Sequence, residues 1–253
     1  MTRDLLALLV GILGNITSTL VFASPLVTFY RIIKKRNTES FSPVPYITCM
    51  LSQLLWTYYG IIKPKGLIIV TISGVGVVIE ISYLSIFVIF ASMPHRMYAL
   101  KLLTLSLTTF VALFLGSFFG SRGATRLTIV GFLCAINSVC MFASPLCVMK
   151  KVITTKSVEF MPFFLTLSLF ANGGTWATYS IIVRDLFMGV PSGLGFLFGI
   201  FQLVLYFCYY KKSPKELHDT KLCFEPVKPA TPKGQQNLME EPEHYPKQTQ
   251  MEV

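Results

Sequence analysis

Charge is what this sequence is shortest of. Only 13% of its 253 residues are Asp, Glu, Lys or Arg, against 53% hydrophobic, and mean hydropathy is +0.62. So thin a charged surface cannot clothe a water-soluble domain of this length, and lipid is the solvent expected for most of the chain. Paired metal-binding cysteines are also missing. The six cysteines, at 49, 134, 140, 147, 208 and 223, lie in apolar runs except Cys223 and form no C-x-x-C pair, so disulfides, zinc and dithiol redox chemistry are not expected. Nor does a short apolar core with a small-residue cleavage site open the chain. The first run, Leu5 to Tyr30, reads as a retained helix and not as a secretory signal. A net charge of +10 without a basic amphipathic face argues against nucleic acid as a partner, because the cations fall between apolar segments.

What is present is a series of bilayer-length runs. Seven stretches qualify, at roughly 5–30, 45–62, 67–91, 98–119, 127–149, 160–182 and 187–210. One alternating set of connections holds Arg31, Lys34, Lys35, Arg36, Arg96, Lys101, Lys150, Lys151, Lys156, Lys211, Lys212 and Lys215, twelve cations. The other set, starting with the N-terminus, holds six: Arg3, Lys63, Lys65, Arg122, Arg126 and Arg184. The positive-inside rule then predicts an exoplasmic or lumenal N-terminus and a cytosolic C-terminus. From 213 to 253 the composition turns polar and rich in Pro, Lys, Glu and Gln, which predicts a disordered tail; its Ser213, Thr220 and Thr231 are hydroxyls of the sort kinases use.

An internal repeat organises the rest. Phe22-Ala23-Ser24-Pro25-Leu26 returns unchanged as Phe142-Ala143-Ser144-Pro145-Leu146, 120 residues later. At the same offset Ser18 meets Ser138, Trp56 meets Trp176 and Tyr59 meets Tyr179, while Ser73-Gly74-x-Gly76 meets Ser192-Gly193-x-Gly195 at an offset of 119. Helices one to three therefore repeat as five to seven. Three helices end on the opposite side of the membrane from where they began, so two parallel units need an extra helix between them. The plain Leu, Thr, Phe and Val run from Tyr98 to Phe119 supplies it. The expected fold is all-α and integral to the membrane: a triple-helix bundle over 1–91, a linker helix with its flanking loops over 92–126, and a second bundle over 127–212.

Gly14-Asn15, Ser24-Pro25, the cationic loop, Pro45, Trp56-x-x-Tyr59-Gly60 and Lys156-Ser157-Val158-Glu159-Phe160-Met161-Pro162 together resemble the SWEET (MtN3/saliva) sugar transporters over roughly residues 8 to 210. SWEETs are themselves a known example of transporters built from parallel repeats. The resemblance implies a uniporter for a small sugar, alternating between two openings without an ion, with no catalytic step and no cofactor. It also makes a homo-oligomer an expected partner. Trp56-Thr57-Tyr58-Tyr59-Gly60, Val152-Ile153-Thr154-Thr155-Lys156-Ser157 and Val190-Pro191 are similar in wording to the plant vacuolar branch, with the plasma membrane as the alternative.

Individual residues can be weighed beside their structural readings. The indoles of Trp56 and Trp176 suit the apolar face of a pyranose, though tryptophan also populates interfacial belts. Ser52 and Asn172 each precede their Trp by one helical turn and could serve a sugar hydroxyl or an interhelical bond. Ser73 and Ser192 stand where the family usually carries asparagine. A hydroxyl gives up one of the amide's two donors, and one such bond is typically worth about 1 kcal/mol. The paired change is compatible with altered substrate, weaker binding, a deliberately altered chain, or small residues for close packing beside their glycines. Ser18, Ser138, Val21 and Met141 fall on the family's pocket walls. The bulk of Met141 resembles members that move hexoses such as glucose or fructose.

Pro25, Pro45, Pro145 and Pro162 match the family's gating prolines. Pro45 and Pro162 read equally well as helix starts, whereas Pro25 and Pro145 lie within apolar runs and read as hinges. Tyr59 and Asp185 match the pair that closes the exoplasmic mouth. Glu80 is an acid in mid-helix and should face protein or water; it reads as a structural acid bonded across helices, since Gly199 occupies the matching place in the second half. Asn15-Ile16-Thr17 fits the glycosylation pattern but lies at bilayer depth. Two rivals remain: a seven-helix receptor, which would lack the three-one-three repeat, and an amino-acid transporter, which would need fixed charges for both carboxylate and ammonium.

Overall fold

A computed structural model describes residues 3–39, 41–159 and 161–210. The polar segment from 213 onward, with Ser213, Thr220 and Thr231, lies outside the described residues, as do Phe160 and Lys211, Lys212 and Lys215. The described residues form the helices α1 (Arg3–Ala23), α2 (Leu26–Lys35), α3 (Val44–Ile62), α4 (Leu67–Phe90), α5 (Met93–Gly120), α6 (Gly123–Met141), α7 (Ala143–Thr155), α8 (Phe163–Val183) and α9 (Leu186–Tyr210). Two spans are each broken once, as α1–α2 and as α6–α7, so nine helices make the seven predicted spans. The first span runs on to Lys35, past the expected end at Tyr30, because its last turn presents Lys34 and Lys35 to the helix C-terminus, where cations are favoured. Arg36 and Lys156, equivalent in the repeat, end α2 and α7 in the left-handed conformation at φ 49° and 53°.

Five spans are apolar enough to be recognised by hydropathy alone. The exceptions are α3 and α8, whose runs are diluted by Ser52, Gln53, Trp56 and Thr57 and by Asn172, Gly173, Gly174 and Thr175. These are the helices that turn polar side chains toward the centre of the molecule.

In each half the third span packs between the other two: α4 contacts α1, α2 and α3, and α9 contacts α6, α7 and α8. The linker α5 lies chiefly against α3 and also touches α4 and α6, and the halves meet where α1 packs on α8 and α3 on α6. At Gly173 a Cβ would stand 2.7 Å from the Phe196 backbone nitrogen, so α8 and α9 approach as closely as backbones allow. Exposed Leu20, Val78, Phe119, Phe164 and Phe207 belong to the apolar exterior a lipid-facing protein requires.

The core is divided unevenly along the membrane normal. Toward the end that holds the N-terminus, Leu55, Tyr58, Tyr59, Ile69, Val130, Cys134, Tyr179 and Met188 form one buried cluster drawn from both halves. Toward the other end there are two: Phe29, Tyr46, Met50, Tyr83 and Phe87 with their neighbours in the first half, and Val152, Met161 and Tyr206 in the second. The halves are fused at the N-terminal end and separate at the other.

Candidate functional site

The two tryptophans meet across the junction between the halves. Trp176 Nε1 of α8 donates to Ser18 Oγ of α1 at 2.8 Å, and Trp56 Nε1 of α3 donates to Ser138 Oγ of α6 at 3.1 Å. Both donors and both acceptors are repeat equivalents, so one bond has been made twice, each half giving a tryptophan and receiving one. Each indole stands edge-on to the tyrosine one turn further along: Trp56 to Tyr59 at 5.5 Å and Trp176 to Tyr179 at 5.4 Å between centroids. The interfacial-belt reading does not describe this placement, since both rings pack on the shared core.

On the α1–α8 side the network continues. Ser18 Oγ donates to Asn172 Oδ1 at 2.7 Å, and Thr17 Oγ1 approaches the same oxygen at 3.1 Å while also reaching the Gly14 carbonyl at 3.0 Å. Gly14 is needed here because a Cβ on it would lie 3.0 Å from the Trp176 ring. Asn172 is thus committed to α1. Its repeat partner Ser52 is buried and its hydroxyl bonds to no other described residue, as is also true of Ser73; the half-buried Ser192 likewise keeps its hydroxyl unbonded among the described residues. Val21 and Met141 are half-buried at the matching ends of α1 and α6, and Asn137 Nδ2 lies 3.9 Å from Met141 Sδ.

At the N-terminal end the contacts converge on Asp185. It is buried between α8 and α9, and its Oδ2 accepts from Tyr59 Oη at 2.9 Å and pairs with Lys63. Its Oδ1 accepts from the Met188 N–H at 3.2 Å, which caps α9. Arg3 adds a bond from Nε to the Ile182 carbonyl at 2.7 Å. Lys63, Thr17 and Gly14 carry contacts that sequence reasoning left without a role. Lys63 counted only as a loop cation, although its place four residues after Tyr59 sets it one turn on.

Phe22 and Phe142 are a further pair that was passed over. A Cβ at Gly76 would lie 3.0 Å from the Phe22 ring, and one at Gly195 would lie 3.4 Å from the Phe142 ring. Their signal was the repeated pentapeptide facing the repeated Ser-Gly-x-Gly.

The prolines divide by pair. Pro45 sits in the first turn of α3 and Pro162 directly precedes α8, both of them helix starts. The first span breaks at Ser24–Pro25, as expected of a hinge, but the sixth helix ends at Met141 and the chain turns at Phe142, so Pro145 lies inside the first turn of α7. A proline needs no N–H in that turn, so the break falls three residues before it, at Phe142. Glu80 corrects another expectation. It is buried, its Oε2 has no hydrogen-bond partner, and among the described residues no cross-helix bond to it is formed. The half-buried Asn15 donates to Oγ1 of the exposed Thr71 at 2.9 Å, a bond between α1 and α4.

Chemically the centre offers two flat apolar rings, hydroxyls on both sides, and indole donors already engaged with serines. A polyol could exchange for those serine bonds one for one, with little net change in hydrogen bonding. The described residues contain no group of three potential metal ligands.

The family described as "Sugar efflux transporter for intercellular exchange" matches twice, over residues 8–95 and 128–214, one match for each half. The chain is 42% identical over 207 residues to the rice (Oryza sativa subsp. japonica) bidirectional sugar transporter SWEET16, an alignment covering 81% of this chain and 63% of that one. It is 42% identical over 216 residues to SWEET7b of Oryza sativa subsp. indica, covering 84% and 81%, and 41% identical over 212 residues to SWEET17 of Arabidopsis thaliana, covering 81% and 86%. A solved structure of a eukaryotic SWEET transporter superposes with a TM-score of 0.81 at 36% identity, covering 83% of this chain and all of that one.

Proposed function

The chain belongs to the SWEET family, and on that premise we propose that it carries a sugar, a hexose such as glucose or fructose, in either direction across a membrane by alternating access, with no ion coupled and no chemical step. The observation that carries this reading is the reciprocal pair Trp56–Ser138 and Trp176–Ser18, two-sided and hydroxyl-exchangeable, midway between a closed end and a divided one. Trp56, Trp176, Ser73, Ser192, Ser52, Asn172, Ser18, Ser138, Val21 and Met141 are the proposed substrate contacts, and Tyr59 with Asp185 the proposed outer gate. The bulk of Met141 favours a monosaccharide. Binding is weak, because the site must release on both sides and its contacts replace existing ones.

The distribution of cations orients the fused end outward or to a lumen and the divided end to the cytosol, so the conformation described is open or opening inward. Residues 1–91 and 127–212 are the proposed working units, with 92–126 tying the linker to the first. The vacuolar membrane is the proposed location, on the wording shared with that branch, and the protein assembles as a homo-oligomer. Microscopy of a tagged chain tests the location; a signal confined to the plasma membrane removes it.

The function is tested by uptake of radiolabelled glucose, fructose and sucrose in cells lacking their own hexose carriers. Saturable hexose uptake, indifferent to a protonophore and lost in Trp176→Ala, is the expected result. Uptake seen only in the double variant Ser73→Asn/Ser192→Asn would identify a binding-impaired carrier. No uptake in any well-expressed variant would overturn the sugar reading.

A further inference from the structure

The two halves repeat in sequence, yet the ways they hold their broken helices differ. In the first half the break at Ser24–Pro25 leaves the Phe22 carbonyl without the Leu26 N–H that a continuous helix would offer. Tyr83 of α4 fills the gap, its Oη donating to the Phe22 oxygen at 2.8 Å. The same ring lies flat on Phe29 of α2, beyond the break, with centroids 4.3 Å apart and planes 10° from parallel. Tyr46 of α3 closes the group edge-on to both rings, at 4.9 Å from Phe29 and 6.0 Å from Tyr83. One side chain therefore grips the broken span on both sides of its break, and all three rings are buried.

Among the described residues of the second half no side chain bonds the carbonyl at the break and stacks beyond it. Applying the repeat offsets, Phe29 becomes Met149, Tyr46 becomes Thr166 and Tyr83 becomes Gln202. The Phe142 carbonyl is taken by its own chain, from the Leu146 N–H at 3.1 Å, and Thr166 turns its hydroxyl back to the Pro162 carbonyl at 3.1 Å. Gln202 is buried in α9 and its side chain bonds to no other described residue. The core beneath this break is also much the smaller of the two.

We propose that Tyr83 is a positioning residue that latches the first hinge, so that the first half moves as one rigid lever and the divided end opens and closes by bending at the second hinge, around Phe142–Pro145. The consequence is a division of labour that the sequence symmetry hides. A bend in the first span must break a buried phenol–carbonyl bond and unstack two parallel rings. A bend in the second disturbs at most the tilted contact of Phe142 with Phe198 of α9, at 5.1 Å between centroids, which lies on one side of the break and does not bridge it. Such a bistable element beside a fixed one is what a gating motion requires.

This inference rests on the alternating-access reading, but its test does not depend on which solute is carried. In the full-length protein, with Cys140, Cys147, Cys208 and Cys223 replaced by serine, spin labels are placed at Leu9 and Ile33 across the first hinge, and separately at Ile129 and Ile153 across the second. All four are exposed and the pairs are repeat equivalents. Each pair spans about 36 Å if its helix were straight, within range of pulsed dipolar distance measurement. In lipid nanodiscs the first pair is expected to give one narrow distance and the second a broad or two-peaked distribution. Tyr83→Phe, which keeps the ring and deletes the hydroxyl, is expected to broaden the first distribution toward the second. In the same protein it should change the maximal uptake rate by about threefold or more with KM nearly unmoved, a pattern that simple loss of substrate contacts does not produce. Equal widths for the two pairs in the parent overturn the latch, as does an unchanged first pair in Tyr83→Phe. If that variant does not accumulate, Phe29→Leu removes the stack instead, and the parent comparison still decides. Unequal widths in a protein that moves no sugar would leave the latch standing and remove the sugar reading alone.

Discussion

Tryptophan at 176 does two things at once, presenting an apolar ring to the centre and donating to Ser18 across the junction. The two contributions separate by substitution. Trp176→Phe keeps most of the ring and deletes the donor, so the loss is about one neutral hydrogen bond, about 1 kcal/mol, and KM for hexose should rise several-fold with transport retained. If Trp176→Phe is as inactive as Trp176→Ala in the uptake assay, the N–H and not the ring face is what the site needs. Trp56→Phe should repeat the result through Ser138, because the geometry is repeated. Gly14 makes a sharper probe. Gly14→Ala puts a methyl 3.0 Å from the indole, so either Trp176 shifts or α1 moves off α8; uptake should fall with expression kept, accompanied by a change in tryptophan fluorescence. Of these residues the sequence made the tryptophans and serines visible, through their recurrence. It did not pair Trp56 with Ser138, because recurrence within a half says nothing of which half an N–H reaches into.

Among the elements, the connection from α2 to α3 carries the cleanest electrostatic signature. The Lys35 side chain, through its hydrogen bond, holds the Glu39 carboxyl below its ordinary 4.5; the charges of Arg31 and Lys35 add to this, and partial desolvation opposes it. A depressed carboxylate stabilises the folded state fully above 4.5 and loses that contribution as pH falls through the folded value. Purified parent and Glu39→Gln should therefore differ slightly in melting temperature at pH 7 and converge in more acid solution, the gap at pH 7 shrinking with salt because the pair faces water. A gap that widens in acid would contradict the assignment. Helix existence was legible for all seven spans, since bilayer-length apolar runs leave few alternatives. Where the broken spans turn was legible only in part. Pro25 marks its break, but the second falls at Phe142, because where a span breaks depends on which carbonyl finds a partner: Phe22 finds Tyr83 of another helix, whereas Phe142 keeps the Leu146 N–H of its own. Glu80 failed for the same reason: the sequence shows that an acid is buried, and not that its Oε2 goes without a partner.

At the scale of the whole molecule, the three-one-three order followed from counting spans against a parallel repeat, while the conformational state could not be read from sequence at all, because both openings use the same residues. It is the single shared core at one end and the two separate cores at the other that distinguish them. Cys134 reports on that difference. It is fully buried in the core it shares with Tyr59, beside the proposed outer closure of Tyr59, Lys63 and Asp185. A membrane-impermeant maleimide added from the N-terminal side should reach it only when that closure opens. In proteoliposomes of one orientation, with Cys140, Cys147, Cys208 and Cys223 changed to serine, labelling of the parent should be slow. Asp185→Asn removes the charge that holds Lys63 and weakens the Tyr59 bond, leaving a lysine in a site only 14% exposed without its counter-ion, a change of about 3–5 kcal/mol for a buried pair and less here because Lys63 keeps some solvent. A shift of even half that size raises the population open at the N-terminal end by at least about tenfold, and labelling should accelerate accordingly. Cys49, on α3 in the half whose core stays closed on itself, serves as the control and should not change. Faster labelling of Cys134 alone identifies a gate; faster labelling of both cysteines would mean that Asp185→Asn merely loosens the fold, and that the Asp185 cluster is a structural tie holding α9 to α3.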